Sequence, residues 1–423
     1  MATTHPQILD NLRHNYFYNV LDGAFFGLAI GFASFMTIIP LFVSTLTGSA
    51  ILIGLIPAIH NMGWQLPQLL IANRVSQQSS YKPMVMMITL HERLPFLGLA
   101  LTAWLIPVIG IQTALIITFL LLVWQGIGAG FTANPWQSMI AQILPSDRRG
   151  TFYGIQSSAA NVLASVSAIA AGYLLSVLDS PYDFTACFLL ASLAMGISWL
   201  ALTRTREPSI PPTSPPSGTK AFWHKLGQIL KTDANFRWFL IVRILSQFAL
   251  MGFAFYTVYA VQILGMDEVT VGVLTSVLLA TQIVANPLMG WLGDRWSHRL
   301  LMAIGILSAS LSGFLAWLAP TPEWFYLVFI LAGIANVAVW TVGLAMILTF
   351  GAESERPSYI GLANTLIAPA TFLAPLIGGL LAEQYGYPAA FITSAIAGLA
   401  TAFVLYTLVR EPQNIPNPEK VPL

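Results

Sequence analysis

Six ionisable side chains stand inside otherwise apolar stretches of the chain: Asp22, His60, His91, Glu92, Arg93 and Arg243. In hydrocarbon each charged group costs roughly 2.5–3.5 kcal/mol on insertion scales, so each implies a partner or a task. A carboxylate or an imidazole can carry a proton, and opposite charges can pair. Other chemistries find little support. Cys187 is the only cysteine, which rules out an internal disulfide and a cysteine-based metal site. His91-Glu92 is the nearest approach to a hydrolytic constellation and lacks a second histidine or a placed serine, leaving an intramembrane enzyme as a remote alternative. No metal and no cofactor are expected.

The elements that must hold these groups follow from composition. Of 423 residues, 56% are hydrophobic and only 8% charged, with a mean hydropathy of +0.74. A soluble domain carries roughly 25% charge, so lipid is the expected solvent and membrane lipid a partner. A net charge of +1 offers no field for nucleic acid. Gly, Pro, Ser and charge clusters divide twelve apolar stretches at 16–43, 50–72, 83–106, 112–142, 152–178, 184–203, 236–262, 269–290, 300–319, 324–349, 358–383 and 387–409. The Pro- and Ser-rich segment 204–235 reads as a linker between bundles at 1–203 and 236–423. The expected fold is an all-α polytopic membrane protein of twelve transmembrane helices in two six-helix, pseudo-symmetric bundles.

Every Lys and Arg except Arg93 and Arg243 falls where an even number of spans puts it beside the N-terminus, while the opposite loops hold acids such as Asp179, Asp267 and Glu323. Positive charge stays inside. Both termini and the linker are therefore expected in the cytoplasm and the chain in the cytoplasmic membrane. The first fifteen residues are polar and hold no cleavable apolar stretch, so the first span is expected to act as the targeting signal.

The halves repeat. At an offset of 207 residues, Gly126, Met139, Arg149, Gly154, Gly172 and Phe184 match Gly333, Met346, Arg356, Gly361, Gly379 and Phe391, and Arg-Glu-Pro ends both halves at 206–208 and 410–412. Between spans eight and nine the chain reads GWLGDRWSHRLL from Gly290 to Leu301. This Gly-x-x-x-Asp-Arg pattern with a following Arg resembles the loop signature of the major facilitator superfamily. Length, span count, linker and repeat agree with that resemblance over the whole chain. Gly290 would admit close helix approach, Asp294 would face a helix N-terminus, and Arg295 and Arg299 would pair with acids or lipid phosphates. The first half carries a degenerate copy in which Leu69 and Asn73 replace Gly and Asp, while Arg74 and Lys82 keep the pattern. Arg149 and Arg356 look like the arginines the family places before spans five and eleven.

The resemblance implies a secondary transporter, acting as a monomer on a small-molecule solute. The arginine that proton-driven members place before Gln-Gly in span four is absent ahead of Gln125-Gly126, and the antiporter signature is missing from span five. A similar string, Ala374-Pro375-Leu-Ile-Gly378-Gly379, stands in span eleven. In the family spans one and seven face each other, so Asp22 and Arg243 are expected to make or break an ion pair across the gate. The alternative is that each snorkels or is satisfied in its own half. Glu92 is a candidate carrier of a coupling proton beside Arg93, with a structural Glu-Arg pair as the alternative. His60 reads as a relay or as a hydrogen-bonded core histidine. From the spans expected to line the cavity come Phe26, Trp124, Gln125, Asn134, Trp136, Gln247, Tyr256, Asn336 and Trp340. Aromatic walls with scattered amides and no ring of charge suit an amphiphilic or hydrophobic organic solute. The preferred reading is an exporter of such compounds with protons as coupling ion; uptake by symport or uniport is the alternative.

Overall fold

The computed structural model describes residues 6–75, 78–145, 149–210, 227–347, 349–350 and 356–411, and all regular structure among them is helical. Ten helices there are long and apolar enough to cross a membrane, from Lys82–Ile109 to Tyr387–Leu408. They are spans three to twelve. Spans one and two are each broken where the sequence reads as continuous. Span one consists of Leu12–Phe32 and Ile38–Leu46, with the Ser34 hydroxyl accepting the Met36 amide in the gap. Span two consists of Ala50–Gln65 and Pro67–Val75, the break falling where Pro67 has no N–H to continue the ladder.

The chain forms two compact units. Unit 1 holds residues 1–216 with 257–280, and unit 2 holds 217–256 with 281–423. The addition of 257–280 to unit 1 has a local cause. A Cβ on Gly272 would stand 2.4 Å from the Ala168 carbonyl, so the start of span eight lies directly on span five. Ser276 donates to the Ser165 carbonyl and Thr275 to the Thr37 hydroxyl on the same face.

Within unit 1, span one packs on spans five and six, span three on four and six, and span two on four. Small residues set the spacing. A Cβ on Gly27 would lie 2.1 Å from the Ala160 carbonyl, and one on Gly128 would lie 2.5 Å from the backbone of His91. The second approach seats span four against the polar turn of span three. Gly110 joins spans three and four with φ of 79° and Gly386 joins eleven and twelve with 84°, a left-handed conformation open to glycine at little cost.

The repeat extends to side-chain contacts that the offset alone did not reveal. In unit 1 the Asn15 amide exchanges two hydrogen bonds with the backbone of Arg206, both 2.8 Å. In unit 2 Asn235 does the same with Arg410 at 3.0 and 2.8 Å. The next residue, an acid, then caps the third helix of its own half. Glu207 accepts the Tyr81 and Lys82 amides at 2.8 and 2.7 Å, and Glu411 accepts the Ser297 hydroxyl and the Arg299 amide. Arg-Glu-Pro is thus a clasp that ties the beginnings of the first and third helices of each half to the end of the sixth.

Candidate functional site

The charged turn of span three and Asp22 of span one converge inside unit 1. Asp22 Oδ1 accepts from Arg93 Nη2 at 3.0 Å and from the Ser198 hydroxyl of span six at 2.6 Å, and Arg93 Nη2 also donates to Ser198 at 2.9 Å. The three form a closed triangle. Arg93 Nη1 donates to the Thr89 carbonyl at 3.4 Å, and its guanidinium lies 5.6 Å from the centre of the Phe26 ring. Glu92 approaches Arg93 only to 3.8 Å, outside hydrogen-bond range. Asp22, Glu92 and Arg93 are 4, 8 and 6% exposed, too buried for snorkelling.

These residues form one wall of a cavity of about 270 Å³. Phe26, Trp64 and Trp136 give it aromatic faces, Ala129, Ala133 and Ala160 leave the room, and Thr89, Thr132 and Gln156 add neutral polar groups. Gln156 is held by the carbonyl of Asn19 at 2.8 Å. The sequence reading found the acids, the arginine, Phe26 and Trp136. It missed Trp64, Ser198 and Gln156; span six also carries Thr185, Ser192 and Thr203, so residue type did not single out Ser198.

Arg243 is elsewhere. It is fully buried in unit 2, donates through Nη1 to the carbonyl of Val339, and has its guanidinium 5.6 Å from the Trp340 ring centre. The Val339 carbonyl lies in the π-helical turn Ala338–Val342, whose wider winding disturbs the usual i→i−4 bonding. A Cβ on Gly343 would stand 2.5 Å from Nη1, so that glycine provides the guanidinium's space. Asp22 has its partner on span three and Arg243 on span ten, each within its own unit.

Several of the other cavity candidates have partners of their own. Trp124 is 39% exposed and donates to His91 Nδ1 at 3.1 Å, while its neighbour Gln125 is buried and bonds His60 at 3.0 Å. Adjacent helical positions point about 100° apart, and the two side chains accordingly go to different partners, His91 on span three and His60 on span two. His60 also stacks on Phe35 at 3.9 Å, the hydrogen-bonded core arrangement. Tyr256 is packed among Phe325, Phe329 and Phe391 and bonds Ser312 at 2.9 Å, a core residue. Gln247 is buried and accepts from Thr371; Asn134 reaches the Gln68 carbonyl at 3.5 Å; Asn336 is half-buried. A Cβ on Gly290 meets nothing within 4 Å among the described residues. Arg299 turns its guanidinium to the Val409 carbonyl at 2.7 Å, and Arg74 is exposed. The side chains of Asn73, Arg149, Asp294, Arg295 and Arg356 lie outside the described residues.

A family model described as Major Facilitator Superfamily matches residues 21–267 and 254–422. Multidrug resistance protein 1 of Bacillus subtilis is 28% identical over 158 residues, 37% of this chain and 40% of that protein. The probable vesicular acetylcholine transporter-B of Danio rerio is 32% identical over 144 residues, 34% of this chain and 29% of its own length. The matched region thus spans well under half of either relative. Among solved structures, a nucleoside transporter is similar with a TM-score of 0.74 at 14% identity, covering 93% of this chain and 100% of that one. A D-xylose-proton symporter follows at 0.71 and 15%, covering 94% and 98%. At such identities the likeness is one of fold.

Proposed function

The chain belongs to the major facilitator superfamily, a multi-pass membrane transporter and not an enzyme, and from that premise we propose that it exports small amphiphilic organic solutes across the cytoplasmic membrane in exchange for protons. The observation that carries this reading is the unit 1 cavity. It offers three aromatic faces for an apolar body and a buried acidic corner for a polar end. Binding a solute there and releasing it on the other side would be alternating access of one unit against the other. The relative named for multidrug resistance supports export and a broad amphiphilic solute class. The orientation that the Lys/Arg distribution implies puts both termini in the cytoplasm.

Everted vesicles containing the protein test the reading. With an acidic lumen, they should accumulate a fluorescent amphiphile such as ethidium, and a protonophore should discharge it. Accumulation only in right-side-out vesicles would replace export by uptake. Transport unaffected by the protonophore would remove the proton from the mechanism.

A further inference from the structure

The charges around the unit 1 cavity do not balance. With its carboxylates ionised, Asp22 and Glu92 contribute two negative charges and Arg93 one positive, and Arg93 is the only Lys or Arg lining the cavity among the described residues. The geometry decides which acid is left over. Asp22 Oδ1 takes two hydrogen bonds, one from Arg93, whose same Nη2 is shared with Ser198. Glu92 stands 3.8 Å from the other guanidinium nitrogen, close enough for attraction and too far for a hydrogen bond. A buried carboxylate in that position must take up either a proton or a cation from outside the protein.

We propose that the cavity is a monocation site in which Glu92 supplies the counter-charge, Arg93 and Asp22 form a fixed neutral pair, and Trp64 and Trp136 receive the ligand's apolar groups. The proposal rests on the reading of this cavity as the solute site and names its ligand class: small organic monocations, above all quaternary or tertiary ammonium ions. Aromatic faces attract such ions through the ring quadrupole, and the attraction grows when water is excluded. The volume of about 270 Å³ admits a cation of the size of phenyltrimethylammonium. A dication would exceed the single uncompensated charge, and an anion would meet Glu92 with no free cation to hold it.

Proton and ligand then compete for one carboxylate. Other groups around Glu92 leave it alone in that role. Span one presents Asp22, which is paired; span four presents Thr132; span six presents Ser198; spans two and five present Trp64 and Gln156. His60 and His91 are engaged with Gln125 and Trp124 and do not line the cavity.

The test is equilibrium binding of radiolabelled phenyltrimethylammonium to the full-length protein in lipid nanodiscs over a range of pH. Wild type should bind more tightly as pH rises, and the neutral isostere tert-butylbenzene should fail to compete. Glu92→Gln should weaken binding by about tenfold or more and abolish its pH dependence, whereas Glu92→Asp should keep the dependence. Monodisperse elution and an unchanged helical spectrum certify each variant, and Glu92→Asp decides should the glutamine variant not fold. Wild-type affinity and pH dependence in Glu92→Gln, or in a fallback case a pH-independent Glu92→Asp, would overturn the proposal. Trp136→Ala separates the two layers. If it abolishes binding while Glu92→Gln does not, the cavity holds the solute without this counter-charge. If neither variant matters, the cavity is not the solute site and both readings fall.

Discussion

Asp22 on span one and Arg93 on span three form a buried ion pair at 3.0 Å, closed by Ser198 of span six. The pair locks three helices of unit 1 together at the wall of its cavity. Removing Arg93 leaves Asp22 buried and unmatched, which costs roughly 3–5 kcal/mol, whereas removing Asp22 leaves Arg93 with Glu92 at 3.8 Å as its counter-charge. Arg93→Gln should lower the unfolding temperature of the purified protein well below wild type, and Asp22→Asn by less. The double variant should recover much of the loss. Additive losses in the double variant would show that the two side chains do not act as a pair.

In unit 2, Gly343 makes room for the guanidinium of Arg243. Gly343→Ala puts a methyl group 2.5 Å from Nη1, and overpacking of this kind costs about 1–3 kcal/mol. Combining it with Arg243→Met removes the obstruction, so the double variant should be less sensitive to the added methyl than the wild-type background. Thermal unfolding of the four proteins gives the coupling directly, and equal effects of the methyl in both backgrounds would contradict the packing seen here.

The repeated clasp makes a paired prediction. Glu207 caps the third helix and Glu411 the ninth, so Glu207→Ala and Glu411→Ala each remove a side chain that satisfies backbone donors. The expected loss is about 0.5–2 kcal/mol for each. Hydrogen exchange should quicken at Tyr81 and Lys82 in the first variant and at Arg299 in the second. Protection left unchanged at those amides would separate the acids from the capping role.

Topology is tested by single cysteines in a Cys187→Ser background. A cysteine at Ser214 should resist an impermeant maleimide applied to intact cells, and one at Asp267 should react. The reverse pattern would invert the orientation.

Much of this architecture is legible in the sequence because lipid imposes it: length, hydropathy and the sorting of Lys and Arg identify the spans without any knowledge of contacts. The helix breaks are less legible. Pro67 could have signalled the interruption in span two, and Pro40, which has no N–H for the Met36 carbonyl, the one in span one, where the Ser34 hydroxyl accepts a nearby amide. Functional side chains divide in the same way. Asp22, Glu92 and Arg93 stand out as charges in apolar surroundings, yet their pairing depends on which helices adjoin, and 71 residues separate Asp22 from Arg93 in the chain. The local packing of spans one, three and six brings Arg93 to Asp22. Trp124 and Tyr256 show the limit for aromatic residues, since type and depth do not reveal which way a helix is turned.

The central claim is that solute passes through the cavity of unit 1, and the most direct measurement is transport after that cavity is blocked. Ala160 lines it without making any of the polar contacts described above. In a Cys187→Ser background, Ala160→Cys should transport a labelled organic monocation in proteoliposomes, and alkylation with a bulky maleimide should abolish that transport. Excess unlabelled solute present during alkylation should protect it. Full transport by protein shown by mass to be completely alkylated would contradict the account.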